Sequence, residues 1–234
     1  MPDLRQRSRL PEMMDGDDVS QDDFAACMAD LATVNTVTLA RGPTLRFVAE
    51  AVAQTPDVLT VLDVGFGAGD MLRSIATMLR RQGRQARLIG IDLNPRSEAA
   101  ARAMTPAGMA IEWRTGDAFA LTGPDTPDLV ISSLVTHHMD DGEIVGFLQW
   151  MEQTAQQGWF VNDLHRHTLA WYGFTAMARI ARWHRFVQHD GPLSVARSFC
   201  RFDWERLMAI AGSPPEARIQ WRFPFRYCVE RKRW

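Results

Sequence analysis

The chain has 234 residues, 46% apolar and 23% charged, with a formal net charge of −2 at neutral pH; this is the composition of an ordinary globular domain with one sizeable core, and it excludes fibrous and low-complexity classes. No apolar run reaches the roughly 18 residues that a bilayer span requires, and the N-terminus MPDLRQRSRL has no apolar segment behind its basic residues, so neither a membrane helix nor a secretory signal is expected and the protein reads as cytoplasmic. Cys27, Cys200 and Cys228 are far apart, without CxxC or Cys/His spacing, which excludes a disulfide framework and a zinc finger.

Residues 1–19 are polar, acidic and without periodicity, and are expected to form a flexible arm ahead of a single domain spanning 20–234. Ser20 and Asp23, ahead of Phe24, Cys27, Met28 and Leu31, spell an N-cap and a first amphipathic helix over 20–32. Pro43 opens a second helix over 43–53, with Leu45, Phe47, Val48 and Val52 on its apolar stripe. From residue 59 the period changes. Short apolar runs at 59–64, 88–92, 109–113, 128–133 and 158–162 alternate with helical patterns at 70–82, 96–104 and 141–155, the rhythm of βαβ units around a buried parallel sheet. An aromatic-rich helix is predicted over 168–186, then shorter helices near 190–198 and 203–211, and closing strands near 217–222 and 225–230. The fold class is therefore α/β, with seven mostly parallel strands flanked by helices.

The strand 59–64 runs into Gly65-Phe66-Gly67-Ala68-Gly69-Asp70 and then into a helix. In a doubly wound sheet this turn is a ligand site, because glycines let a ligand touch the backbone and the helix N-terminus offers free N–H groups. A dinucleotide site wants G-x-G-x-x-G, but Gly69 arrives one residue early. Asp63, just before the turn, repels phosphate and suits a cationic ammonium group. Asp92 closes the second strand, where a carboxylate can accept both hydroxyls of a ribose. Asp117, after the third strand, can accept from an exocyclic amine.

With VLDVGFGAG, IDLN, GDAF and PDLVISSLVTHHM in that order, residues 58–162 resemble the class I S-adenosylmethionine-dependent methyltransferases. The resemblance implies a Rossmann-like sheet, S-adenosylmethionine as cofactor, and a helical lid over the substrate cleft formed by 20–54 and 168–211. It carries the cofactor contacts to Asp63, Gly65, Gly67 and Gly69, to Asp92 with Leu93, to Asp117 with Ala118, and to Ser133. An Asn/Asp-Pro-Pro-aromatic sequence would mark methylation of base amines or glutamine; Ser133-Leu134-Val135 stands there instead, which favours O- or C-methylation of a small molecule.

Methyl transfer needs an aligned nucleophile and, for a phenol or enol, removal of its proton. His137 and His138, just past the fourth strand, and His165, past the fifth, are the candidate bases. His165 and His167 have a chelating spacing, but a sulfonium cofactor already supplies the electrophile, so no metal is expected. The aromatic helix at 168–186 points to an apolar or aromatic acceptor. The chain is similar to small bacterial methyltransferases associated with polyketide and phenolic-lipid synthesis, a resemblance that implies a polyketide-type acceptor; a quinone-precursor C-methyltransferase and a noncatalytic cofactor-binding protein are the alternatives. Residues 218–234 carry six bases and one acid, yet a basic tail outside a recognisable module does not make a nucleic-acid partner.

Overall fold

The computed structural model describes residues 3–16, 18–121 and 126–234. Five strands, β1 (Leu59–Val64), β2 (Ala86–Asp92), β3 (Glu112–Thr115), β4 (Leu129–Ser133) and β5 (Gly158–Leu164), pair in parallel, and the hairpin of β6 (Arg218–Arg222) and β7 (Arg226–Lys232) adds through β7, antiparallel to β5. Across the sheet the order is β3-β2-β1-β4-β5-β7-β6. The winding reverses between β1 and β4, and the carboxyl ends of those two strands leave the crevice in which such sheets bind ligands.

Both faces of the sheet are covered. Val61 and Ile131 belong to one core with Phe47 and Val48 of α2 (Gly42–Gln54) and Leu72 and Ile75 of α3 (Asp70–Arg81); Leu62 and Val130 belong to the other, with Ile144 and Phe147 of α5 (Asp141–Thr154) and Trp204 and Leu207 of α8 (Arg201–Ala211). Successive residues of one strand thus enter different cores, which is why these strands are continuous apolar runs rather than alternating ones. A third cluster lies at the carboxyl end of the sheet. It joins Phe24 and Met28 of α1 (Gln21–Val37), Ala100 of α4 (Pro95–Met104), Ala178 of α6 (Thr168–Ile180) and Val187 of α7 (Arg185–Arg197), and it includes Ala68 of the glycine turn.

The helices start where side chains satisfy their first N–H groups. Ser20 Oγ accepts from Asp23 N–H at 3.0 Å, Asn94 Oδ1 accepts from Arg96 N–H at 3.0 Å, and Asp140 and Glu143 form a reciprocal capping box on α5. The lid predicted over 20–54 and 168–211 is smaller than expected: α2 and α8 pack on the sheet, and the covering elements are α1, α6 and α7.

Three further expectations change. The third strand is Glu112–Thr115, not 109–113, because it is an edge strand with one inward side chain, the buried Trp113, and Met109 belongs to a turn onto Pro106. The helix predicted over 168–186 ends at Ile180, where Arg182 takes a positive φ of 54° and Trp183 N–H bonds back to Ala178; the next helix begins at Arg185 and runs through Pro192. The segment 1–19, expected to be flexible, is docked over its described residues. Arg7 donates to the carbonyls of Arg197 and Met139 and to Asp141, Ser8 N–H donates to Ala196, and Met13 and Met14 N–H donate to the Asp190 carboxylate. Those contacts are polar and largely extended, so no apolar period announces them.

Candidate active site

A cavity of about 790 Å³ opens over the carboxyl ends of the strands, beneath α1, α6 and α7, in the size range of small-molecule sites. Its floor begins at the glycine turn. Gly65, Gly67 and Gly69 have φ of 74°, 54° and 77°, and α3 starts directly after them with no side-chain cap, leaving its first N–H groups for a ligand.

Of the residues expected to hold a cofactor, Gly65, Gly67, Asp92, Leu93 and Ser133 line this cavity. Asp92 accepts from Gly67 N–H through Oδ2 and from Asn94 N–H through Oδ1, each at 2.8 Å. Burial pushes its carboxyl up against those two bonds and one from Ser97. A carboxylate has about four acceptor sites; with three of them used, one remains for a ligand hydroxyl. Leu93 lines the cavity while 74% exposed. Ser133 Oγ is shared with Thr44 Oγ1 at 3.2 Å.

Asp63 lies beside the cavity, on a side pocket of about 30 Å³ shared with Gly65, Ser133, Asn35 and Arg41, room for a bridging water. Its Oδ2 is buried without a hydrogen-bond partner. Burial, reinforced by the charges of Asp70 and Asp92, raises its carboxyl well above the ordinary value. An orphaned carboxyl beside a ligand cavity fits the ammonium end of an amino-acid cofactor.

Gly69, Asp117 and Ala118 do not line the cavity. The Trp113 ring fills the space where a Gly69 side chain would begin, its Cη2 2.3 Å from an ideal Cβ, so this glycine seats the turn on the core. Asp117 is exposed and accepts from Phe119 N–H at 2.9 Å, capping a short turn whose first residue is the buried Ala118.

The three candidate histidines all line the cavity, and their surroundings tell them apart. His137 is buried, and its Nδ1 lies 2.8 Å from Asp163 Oδ1. Asp163 also accepts from Thr136 Oγ1 and from the N–H groups of His137 and Leu164. Full burial alone would raise its carboxyl, but His137 and these donors hold it down to about 2. An ionised carboxylate only accepts, so His137 Nδ1 carries a proton, and in the neutral imidazole the lone pair falls on Nε2. That Nε2 faces Glu12 Oε1 at 3.9 Å, and His138 Nε2 faces Glu12 Oε2 at 3.9 Å.

His165 differs. Trp221 Nε1–H donates to its Nδ1 at 3.2 Å, which leaves Nε2–H as a donor. Burial, then the neighbouring His167 and Arg166, pull it down to about 4, too low for a base near neutral pH. His167 Nδ1 accepts from Leu169 N–H and caps α6, so the His-x-His spacing serves a helix end. Among the described residues, the group with metal-ligand geometry is instead Glu12, His137 and His138, within 4.8 Å of one another.

Two residues of this arrangement were not foreseen as partners of the histidines. Asp163 sits in the Asn162-Asp163-Leu164-His165 run, where strand alternation and the β4–β5 pairing aim it at His137. Glu12, 4% exposed, comes from the segment taken as a free arm, and nothing in its neighbourhood along the chain signals burial.

Residues 61–158 match the model of a methyltransferase-domain family. A 68-residue stretch is 40% identical to 2-phytyl-1,4-naphtoquinone methyltransferase of Thermosynechococcus vestitus and covers 29% of each chain. The fold superposes on magnesium protoporphyrin IX methyltransferase of Synechocystis PCC 6803 with bound SAH, with a TM-score of 0.54 at 19% identity over 84% of both chains. It also superposes on the plantazolicin methyltransferase BpumL in complex with a triazolic desmethylPZN analog and SAH, with a TM-score of 0.59 at 13% identity over 86% of this chain and 78% of the other. Residues 61–158 thus match a methyltransferase domain, and the sheet order, with a glycine turn followed by Asp92 at one cavity, is the fold of those SAH-bound methyltransferases.

Proposed function

We propose that the protein transfers a methyl group from S-adenosylmethionine to an oxygen or carbon of a small aromatic or apolar acceptor in the cytoplasm. The observation that carries the reading is His137, which lines the same cavity as Gly65, Gly67 and Asp92 and is backed by the buried Asp163 at 2.8 Å. When bound, the cofactor supplies an electrophilic methyl on a sulfonium. The chain's own residues do the rest. Asp92 and the glycine turn hold the nucleoside and methionine portions, and Asp63 meets the ammonium group. Asp163 fixes the tautomer of His137, whose Nε2 takes the proton from the acceptor hydroxyl or enol. His165 Nε2–H donates to an acceptor oxygen. Leu169, Phe174 and Met177 of α6 and Phe186 and Val187 of α7 give the cavity an apolar wall, which supports an aromatic or alkyl-bearing acceptor such as a polyketide-type phenol.

The test is methylation of a panel of phenols, enols and quinols by the purified protein, with SAH binding measured in parallel by calorimetry. His137→Ala and Asp163→Asn are expected to lower turnover by about 100-fold or more while SAH affinity stays within a few-fold; Asp92→Ala is expected to abolish SAH binding. Full activity in His137→Ala would reject the assigned base. The naphthoquinone-specific relative, matched over 68 residues, favours a second reading, C-methylation of a quinone precursor. Locating the new methyl by NMR decides between them.

A further inference from the structure

Arg226, the first residue of β7, is 2% exposed and borders the cavity. Its Nη2 donates to Thr38 Oγ1 at 3.2 Å, while Nε and Nη1 are buried with no hydrogen-bond partner. A buried guanidinium with five N–H donors and one neutral acceptor is far from satisfied. The carboxylate whose charge acts on it is Asp163, whose two oxygens are already taken by His137, Thr136 and Leu164. Cys228 is a neutral thiol, which burial pushes up to about 12. The outcome for Arg226 is that burial draws it down to about 10, still a cation at neutral pH.

Its position separates it from the cofactor. Arg226 pairs with Leu164 of β5, and β7 is the third strand from β1 in the sheet order, roughly 14 Å across at the usual strand spacing. The residues around Asp63 and the glycine turn include Arg41, already paired with Asp70 at 3.0 Å, and not Arg226.

We propose that Arg226 is the anchor of an acceptor subsite that takes an anionic oxygen, a carboxylate or enolate carried on an aromatic body. The apolar walls take the rings, and the guanidinium, with donors to spare, forms the fork that a carboxylate matches with two parallel bonds. This deepens the reading of the cavity as an acceptor site and rests on it.

The experiment uses a matched pair, 2-naphthoate and 2-naphthamide, titrated into the protein with and without SAH. Naphthoate is expected to bind at least about tenfold more tightly than naphthamide, Arg226→Met to erase that difference, and Arg226→Lys to keep part of it. SAH affinity is expected to be unchanged in both variants. Arg226→Met is also expected to melt at or above the wild-type temperature, since it removes an uncompensated buried charge. Equal binding of the two probes to the wild type, or an undiminished preference in Arg226→Met, overturns the proposal. So does loss of SAH rather than naphthoate binding in Arg226→Met, which would assign the residue to the cofactor's carboxylate. A large fall in melting temperature overturns it in favour of a structural role. Failure of the wild type to bind SAH would instead sink the methyltransferase reading, and the probe titration without SAH still reads the subsite.

Discussion

Asp63 is buried with one carboxylate oxygen lacking a hydrogen-bond partner, and its energetics can be read from pH. Its folded carboxyl is raised above the unfolded value of 3.8, so its contribution is most favourable below that pH and is lost as pH rises. Asp63→Asn should therefore melt higher than wild type near neutral pH, with the gap closing as pH falls toward 4, while SAH affinity drops. A lower melting temperature at pH 7 would show that the carboxylate is compensated in the free protein. His165 has the opposite dependence. Its folded value of about 4 lies below the ordinary 6.5, so the unfolded chain holds a proton in that window that the folded one does not, and stability falls as pH drops from 6.5 toward 4. His165→Asn should flatten that part of the stability profile measured by urea unfolding. The residue types at the strand ends announced this chemistry. The partners that orient the His137 and His165 rings were not legible, because Asp163 and Trp221 reach them from other strands.

At the scale of elements, the glycine turn and the N-terminal segment carry the most consequence. Gly69 combines a left-handed φ of 77° with the Trp113 ring in the space a side chain would need, so Gly69→Ala adds backbone strain to a core clash and should cost about 3 kcal/mol or more, seen as a lower melting temperature. The glycines were legible as a turn, but which of them lines the cavity depended on where Trp113 of β3 lands. The N-terminal segment was illegible for a different reason. It docks on α7 through Arg7, Ser8 and the Asp190 carboxylate, and backbone carbonyls as partners leave no trace in composition. Deleting residues 1–16 removes these bonds and Glu12, and should lower the melting temperature by several degrees and speed proteolysis within α7. Unchanged proteolysis would show that α7 holds its place without the segment.

For the whole molecule, the distribution of buried surface predicts an uneven stability. The central strands β1, β4 and β5 contribute side chains to two cores at once, whereas α1, α6 and α7 rest on a third cluster that borders the cavity. Hydrogen exchange should be slowest in those strands and faster in the three covering helices, and SAH should slow the helices more than the strands. Uniform protection across both regions would contradict a cap that opens apart from the sheet. No described helix is long and apolar enough to cross a membrane.

The sequence by itself determined the α/β class, the five parallel strands, the glycine turn and the acid at the end of β2, because period, turn chemistry and strand-end position are local properties of the chain. Only the tertiary structure decided which helices cover the cavity, that Glu12 and Asp163 join His137, that Asp117 stands outside, and that Arg226 is left with unspent donors. Those outcomes depend on which distant backbone or side chain arrives opposite each group, and burial and pairing across the sheet are not encoded within any window of neighbouring residues.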